Sequence, residues 1–166
     1  MNLNNPGSEV LSQTKLGLDS ARRAVLIRAM KKIISTTDAP AAVGPYSQAI
    51  RAGNFVFCSG QIPLDPKSGK IVEGDIRVQT RRVLDNITAV LRAEGLTFEN
   101  IVKTTIFLTD LGDFQTVNEL YGSYFKSDPP ARSTVEVPAL PKGANVEIEV
   151  IAMTNPTGGK AIDTWE

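Results

Sequence analysis

Between Asp75 and Glu94 the apolar positions Ile76, Thr80, Val83, Leu84, Ile87, Val90 and Leu91 recur with a period of 3.6 residues. A helix of that length with one apolar stripe must lay the stripe on a second layer. The rest of the chain supplies that layer as short strands. Gly95 ends the helix from the left-handed capping position. A second helix starts at a cap on Asp110 or Asp113, runs to about Phe125, and carries the stripe Phe114, Val117, Leu120, Tyr121 and Tyr124. Strands are expected over Ile33–Thr36, Ser47–Ala52, Phe55–Ser59, Ile101–Thr109, Arg132–Val137 and Asn145–Thr154. Gly53-Asn54 suits a tight hairpin, whereas Gly60–Gly74, Pro129-Pro130 and Pro138–Gly143 are connections. The order ββ(β)αβαββ predicts one α+β domain with both helices on one face of a mixed sheet.

The chain has 166 residues, 18 basic and 18 acidic, with no histidine and one cysteine. Without His, triads, imidazole bases and His-containing metal sites are excluded. A single Cys excludes an internal disulfide, a CxxC redox pair and a thiolate zinc site. No metal or cofactor is expected, so any chemistry falls to Arg, Lys, carboxylates, hydroxyls and backbone groups. Residues 33–166 carry 12 basic and 16 acidic groups, a net of −4, which opposes a nucleic-acid coat or an anionic membrane surface.

Residues 1–30 carry a net of +2 and have no apolar run long enough to span a bilayer and no secretory signal. We read residues 1–29 as an extension of uncertain role, with a start at Met30 or a targeting segment as alternatives. The domain then covers 30–156, and 157–166 form a loose polar tail. The expected location is the cytoplasm. Gly69-Lys70 lacks the remaining residues of a phosphate loop, and Asn86-Ile87-Thr88 is a sequon inside a helix.

Two helices cannot cover both sides of a six-stranded sheet. In the last strand Val146, Ile148, Val150 and Ala152 alternate with Glu147, Glu149, Ile151 and Met153; in the strand before it, Ser133, Val135 and Val137 alternate with Arg132, Thr134 and Glu136. If the apolar sets face the helices, Arg132, Glu147, Glu149, Ile151 and Met153 share the other face. That face reads either as a solvated sheet surface or as a subunit interface; Ile151 and Met153 favour the interface, and a homo-oligomer is expected.

Single residues carry two readings each. Arg132, delivered by Pro129-Pro130-Ala131, is a surface arginine or a fork for a carboxylate. Glu149 is an ion-pair residue or a general acid–base group that orients water. Tyr46 is a core aromatic or a pocket wall. Ser59-Gly60 is a strand terminus or a backbone anion site. Asn118 sits on a helix surface, and Cys58 is a buried thiol with no base to activate it.

The segments Ala39–Ala49, Ser59-Gly60-Gln61-Ile62-Pro63, Ile101–Thr105, Pro130-Ala131-Arg132-Ser133-Thr134 and Val146–Ala152 together resemble the Rid (reactive intermediate deaminase, YjgF) family, closest to its RidA subgroup, over about Met30 to Thr154. The resemblance implies a chorismate-mutase-like fold and a homotrimer with sites between subunits. It implies hydrolysis of 2-imino acids and their enamine tautomers, such as 2-iminopropanoate and 2-iminobutanoate, to 2-oxo acids and ammonia. It gives Arg132 the substrate carboxylate, Glu149 the attacking water, Tyr46 the closing of the pocket, and Ser59, Gly60 and Asn118 lesser contacts. Thr134 stands where the family often has Cys; its backbone still suits a substrate contact, but no thiol role applies. Two rival functions are a non-catalytic small-acid sensor or chaperone-like protein using the same cleft, and a ribonuclease or translation inhibitor, which the negative charge of the domain disfavours.

Overall fold

The computed structural model describes Ile27 and residues 30–154. The readings of 1–29 as an extension and 157–166 as a tail therefore fall outside the described residues, Ile27 apart. The chain divides into two compact units, Met1–Lys32 and Ile33–Glu166, and every element of the candidate site lies in the second.

Six strands, β1 (Lys31–Ile34), β2 (Ala49–Ala52), β3 (Phe55–Gln61), β4 (Ile101–Leu108), β5 (Ala131–Glu136) and β6 (Val146–Met153), form one sheet in the order β1-β2-β3-β6-β4-β5. Among residues 31–154 the α-helices are α1 (Ile76–Arg92) and α2 (Phe114–Gly122). β6 runs antiparallel to both β3 and β4, so those two are parallel to each other and α1 is the crossover between them. β4 and β5 are parallel neighbours joined through α2. Two successive parallel crossovers moving the same way across a sheet share one hand, which puts both helices on the same face.

The core lies between that face and the helices. Val83, Leu84, Ile87, Val90 and Leu91 of α1 are fully buried against Val56, Ile106, Leu108, Val146 and Ile148 of the sheet. Asp75 caps α1, its Oδ1 accepting from the Val78 amide at 3.0 Å, and Gly95 follows at φ +69° as the cap position requires. Apart from shifts of a few residues at the ends, the elements match those expected from spacing.

Two expectations are overturned. In β5 the parallel register sets Arg132 beside Thr104 and Thr134 beside Ile106. Thr104 and Ile106 are shut in under the helices, so Arg132 and Thr134 face the helix side while Ser133 and Val135 face away. Arg132 thus does not share a face with Glu147 and Glu149. The physical reason is position: β5 is an edge strand, so its helix-side residues need not be apolar, and Val135, 41% exposed, serves the open face. Likewise Phe114 leaves the expected stripe of α2: it is 41% exposed, while Val117, Leu120 and Tyr121 are buried.

Candidate active site in two halves

One half is a cleft of about 630 Å³ lined by Pro40, Ala41, Val43, Tyr46, Gln48, Ser59, Gly60, Gln61, Ile62, Leu64, Pro141, Lys142, Glu147 and Glu149. Its floor comes from an irregularity in β3. Cys58 pairs with Val150 and Gln61 with Ile148, so Ser59 and Gly60 together oppose Glu149 and bulge out of the ladder. The bulge stays in place because the Ser59 hydroxyl donates to the Ser47 carbonyl at 2.7 Å and its amide to the Gln48 carbonyl at 3.0 Å. That hydroxyl is thereby committed to structure.

Gly60 leaves room for the Glu147 side chain in the position it takes. A Cβ on it would run into the carboxylate of Glu147, with Cδ only 2.7 Å away. The glycine therefore lets this carboxylate lie flat on the backbone. Burial, with the nearby charge of Glu149 adding to it, pushes the Glu147 carboxyl above its ordinary range. Glu149 is the more exposed of the two. Among the site residues, Glu147 is the one that sequence reasoning assigned only to a face. Its signal lies in the pairing of two segments far apart in sequence, Gly60 against Glu147.

Tyr46 is 53% exposed at the cleft's rim and its hydroxyl accepts from the Val43 amide at 3.3 Å. The loop that carries it is held by Gln48, a buried amide. Gln48 Oε1 accepts from the Thr36 amide at 2.7 Å, and Nε2 donates to the carbonyls of Thr36 at 3.0 Å and Pro40 at 2.7 Å. Cys58 points into the core, where burial pushes its thiol up to about 12, as expected of an inert thiol.

The other half lies on the opposite face of the sheet, at the β5 edge. The Arg132 guanidinium sits 5.0 Å from the ring centre of Tyr121 and 5.7 Å from that of Phe114. Thr134 follows Arg132 on the same face, its hydroxyl buried and without a hydrogen-bond partner. Asn118 lies four residues after Phe114 and three before Tyr121, hence on the same side of α2, and is exposed. The structure therefore gathers Tyr46, Ser59, Gly60 and Glu149 in one place and Arg132, Asn118 and Thr134 in another.

Chemically, the first half offers a carboxylate of raised proton affinity in a partly apolar cleft, and the second an arginine fork. Among the described residues, no group of three or more His, Cys, Asp or Glu side chains is placed to hold a metal ion, and no helix is long and apolar enough to cross a membrane.

Comparison with known proteins agrees with this architecture. The family model described as Endoribonuclease L-PSP matches residues 36–154. The chain is 49% identical over 127 residues to a 2-iminobutanoate/2-iminopropanoate deaminase of Mus musculus, covering 76% of this chain and 94% of that one. Among solved structures it is similar to the YjgF gene product of E. coli, with a TM-score of 0.71 and 49% identity, covering 75% of this chain and 99% of the other. E. coli TdcF with bound serine gives a TM-score of 0.71 at 46% identity, with the same two coverages.

Proposed function

The chain belongs to the endoribonuclease L-PSP family, in which Rid proteins fall, and from that premise we propose that it is a deaminase hydrolysing 2-imino acids to 2-oxo acids and ammonium. The observation that carries this reading is the division of the site: a carboxylate whose proton affinity burial raises, in a cleft on one face, and an arginine with unspent side-chain donors on the other. One chain cannot turn both onto one small molecule. A second copy whose Arg132 edge abuts the first copy's cleft completes the site, and a ring of such head-to-tail contacts closes as a cyclic oligomer. We take it to be the homotrimer that the resemblance implies, with sites between subunits, in the cytoplasm.

In the assembled site Arg132 holds the substrate carboxylate by a bidentate pair. The iminium carbon, already electrophilic, then lies over the Gly60 bulge beside Glu147. Water adds to that carbon as Glu147 takes one of its protons, and the protonated carboxyl passes the proton to nitrogen. The C–N bond breaks, the one proton left on the hydroxyl passes to the departing ammonia, and the iminium and water become a 2-oxo acid and ammonium with atoms and charge conserved. A carboxyl pushed up by burial suits this exchange, because a base acts best when its pKa nears the working pH. Glu149 raises that proton affinity, and Tyr46 walls the pocket. The ribonuclease reading fits less well: two carboxylates in the cleft repel a phosphodiester backbone, and the domain as a whole is acidic.

The test generates 2-iminopropanoate from serine with a dehydratase in the presence of semicarbazide and follows suppression of the semicarbazone. Suppression by the wild type and its loss in a folded, assembled Arg132→Ala variant is the expected result. No suppression by an assembled wild type overturns the deaminase reading and leaves the small-acid sensor.

A further inference from the structure

Arg132 is held without the use of its donors. Among the described residues its guanidinium makes no hydrogen bond and no ion pair; what it touches is two aromatic rings of α2. Tyr121 and Phe114 are seven residues apart, two turns on the same side of the helix, so both rings come down on the β5 edge. Tyr121 is 3% exposed, and its hydroxyl donates to Thr104 Oγ1 at 3.0 Å. Thr104 is the direct cross-strand neighbour of Arg132. A single side chain therefore anchors to one residue of a strand pair through its hydroxyl and supports the other through its ring. Phe114 has no such anchor; it gives up burial at the start of α2 to lie against the guanidinium.

A guanidinium attracted to a ring face keeps its in-plane N–H groups for another partner. An arginine fixed by hydrogen bonds or a carboxylate would have to break them to bind substrate. Resting on the carboxylate-clamp reading of Arg132, we propose that Phe114 and Tyr121 are positioning residues, which hold the Arg132 fork open and oriented for an incoming carboxylate. Neither touches the reacting atoms.

Phe114 is the residue to vary, because its exposure makes the fold insensitive to it. Phe114→Leu keeps an apolar side chain of similar reach and loses the ring; Phe114→Tyr keeps the ring. Calorimetric titration with 2-oxobutanoate, the carboxylate-bearing product, gives Kd, and the coupled imine assay gives kcat. Phe114→Leu is expected to weaken 2-oxobutanoate about tenfold with a smaller fall in kcat, while Phe114→Tyr stays within about twofold of wild type in Kd. A packing role would instead rank the two variants by fit and lower melting temperature. Unchanged affinity in Phe114→Leu, or equal losses in Leu and Tyr variants, overturns the proposal. If the wild type binds 2-oxobutanoate with this pattern but hydrolyses no imine, the positioning role stands and the deaminase reading falls.

Discussion

Glu147 is the carboxyl in the cleft whose proton affinity the fold has moved, and the direction of that movement fixes how its removal acts. Its folded pKa lies above the ordinary 4.5, first through burial and then through the charge of Glu149. Between the unfolded and the folded pKa the native state binds more protons, so stability rises as pH falls through that window. Above the folded pKa the full cost of an ionised, half-buried carboxylate is present. Glu147→Gln removes that cost and keeps the shape against Gly60. At pH 7 the variant is therefore expected to melt above the wild type, with the gap closing as pH is lowered and vanishing below about 4.5. Turnover in the same variant is expected to drop about a hundredfold, because an amide cannot take a proton from water. Melting curves at pH 7 and pH 4 decide the first part; a Gln variant less stable at pH 7 would show that the carboxylate is held by interactions the structure does not contain.

At the scale of elements, α1 illustrates how local rules and tertiary packing divide the work. Asp75→Ala removes one cap bond at an exposed helix start, at a cost of about 1 kcal/mol. For a chain of this size the melting temperature is expected to fall by about 2–4 °C with activity unchanged, since α1 lines neither half of the site. A fall of ten degrees would mean that the cap also fixes the Gly60–Gly74 loop, which α1 holds through Asn86 Nδ2 to the carbonyls of Ile62 and Leu64. Both helices and all six strands were legible because each is a local pattern: a 3.6-residue stripe, an alternation, a Gly or Pro stop. The face of β5 was not. Its alternation reads equally well either way up, and only the parallel register with β4 shows that Arg132 sits beside Thr104. Phe114 was misread for the same reason, as a helical stripe does not say where the sheet beneath it ends. The resemblance puts Tyr46, Ser59, Gly60, Glu149, Arg132, Asn118 and Thr134 at one site between subunits; within one chain the first four line the cleft and the last three lie at the β5 edge. Glu147 was placed on its face without a role, since its distinction depends on a contact with Gly60 eighty-seven residues away in sequence.

At the scale of the whole molecule, the helix-free face decides what one chain can do. Phe55, Phe57, Val135 and Met153 are each more than two-fifths exposed on it, Phe55 beside Met153 where β3 pairs with β6, and Val135 apart from them on β5, beyond β4. Apolar side chains of that number and size gain by burial against a further copy. Arg132 and Glu147 lie on opposite faces, so the proposed site takes its clamp from one subunit and its carboxylate from the next. That geometry makes a quantitative prediction for mixed oligomers. Arg132→Ala and Glu147→Gln chains are each expected to be nearly inactive alone. Co-expressed in equal amounts with different tags, they assemble at random. A site then works only where an Arg132→Ala chain supplies the cleft and a Glu147→Gln chain supplies the arginine. One ordered pair in four meets that condition, so the mixture should recover about a quarter of the wild-type activity per site. If both residues served a site within one chain, every chain in the mixture would lack one of them, and no recovery would appear at any ratio.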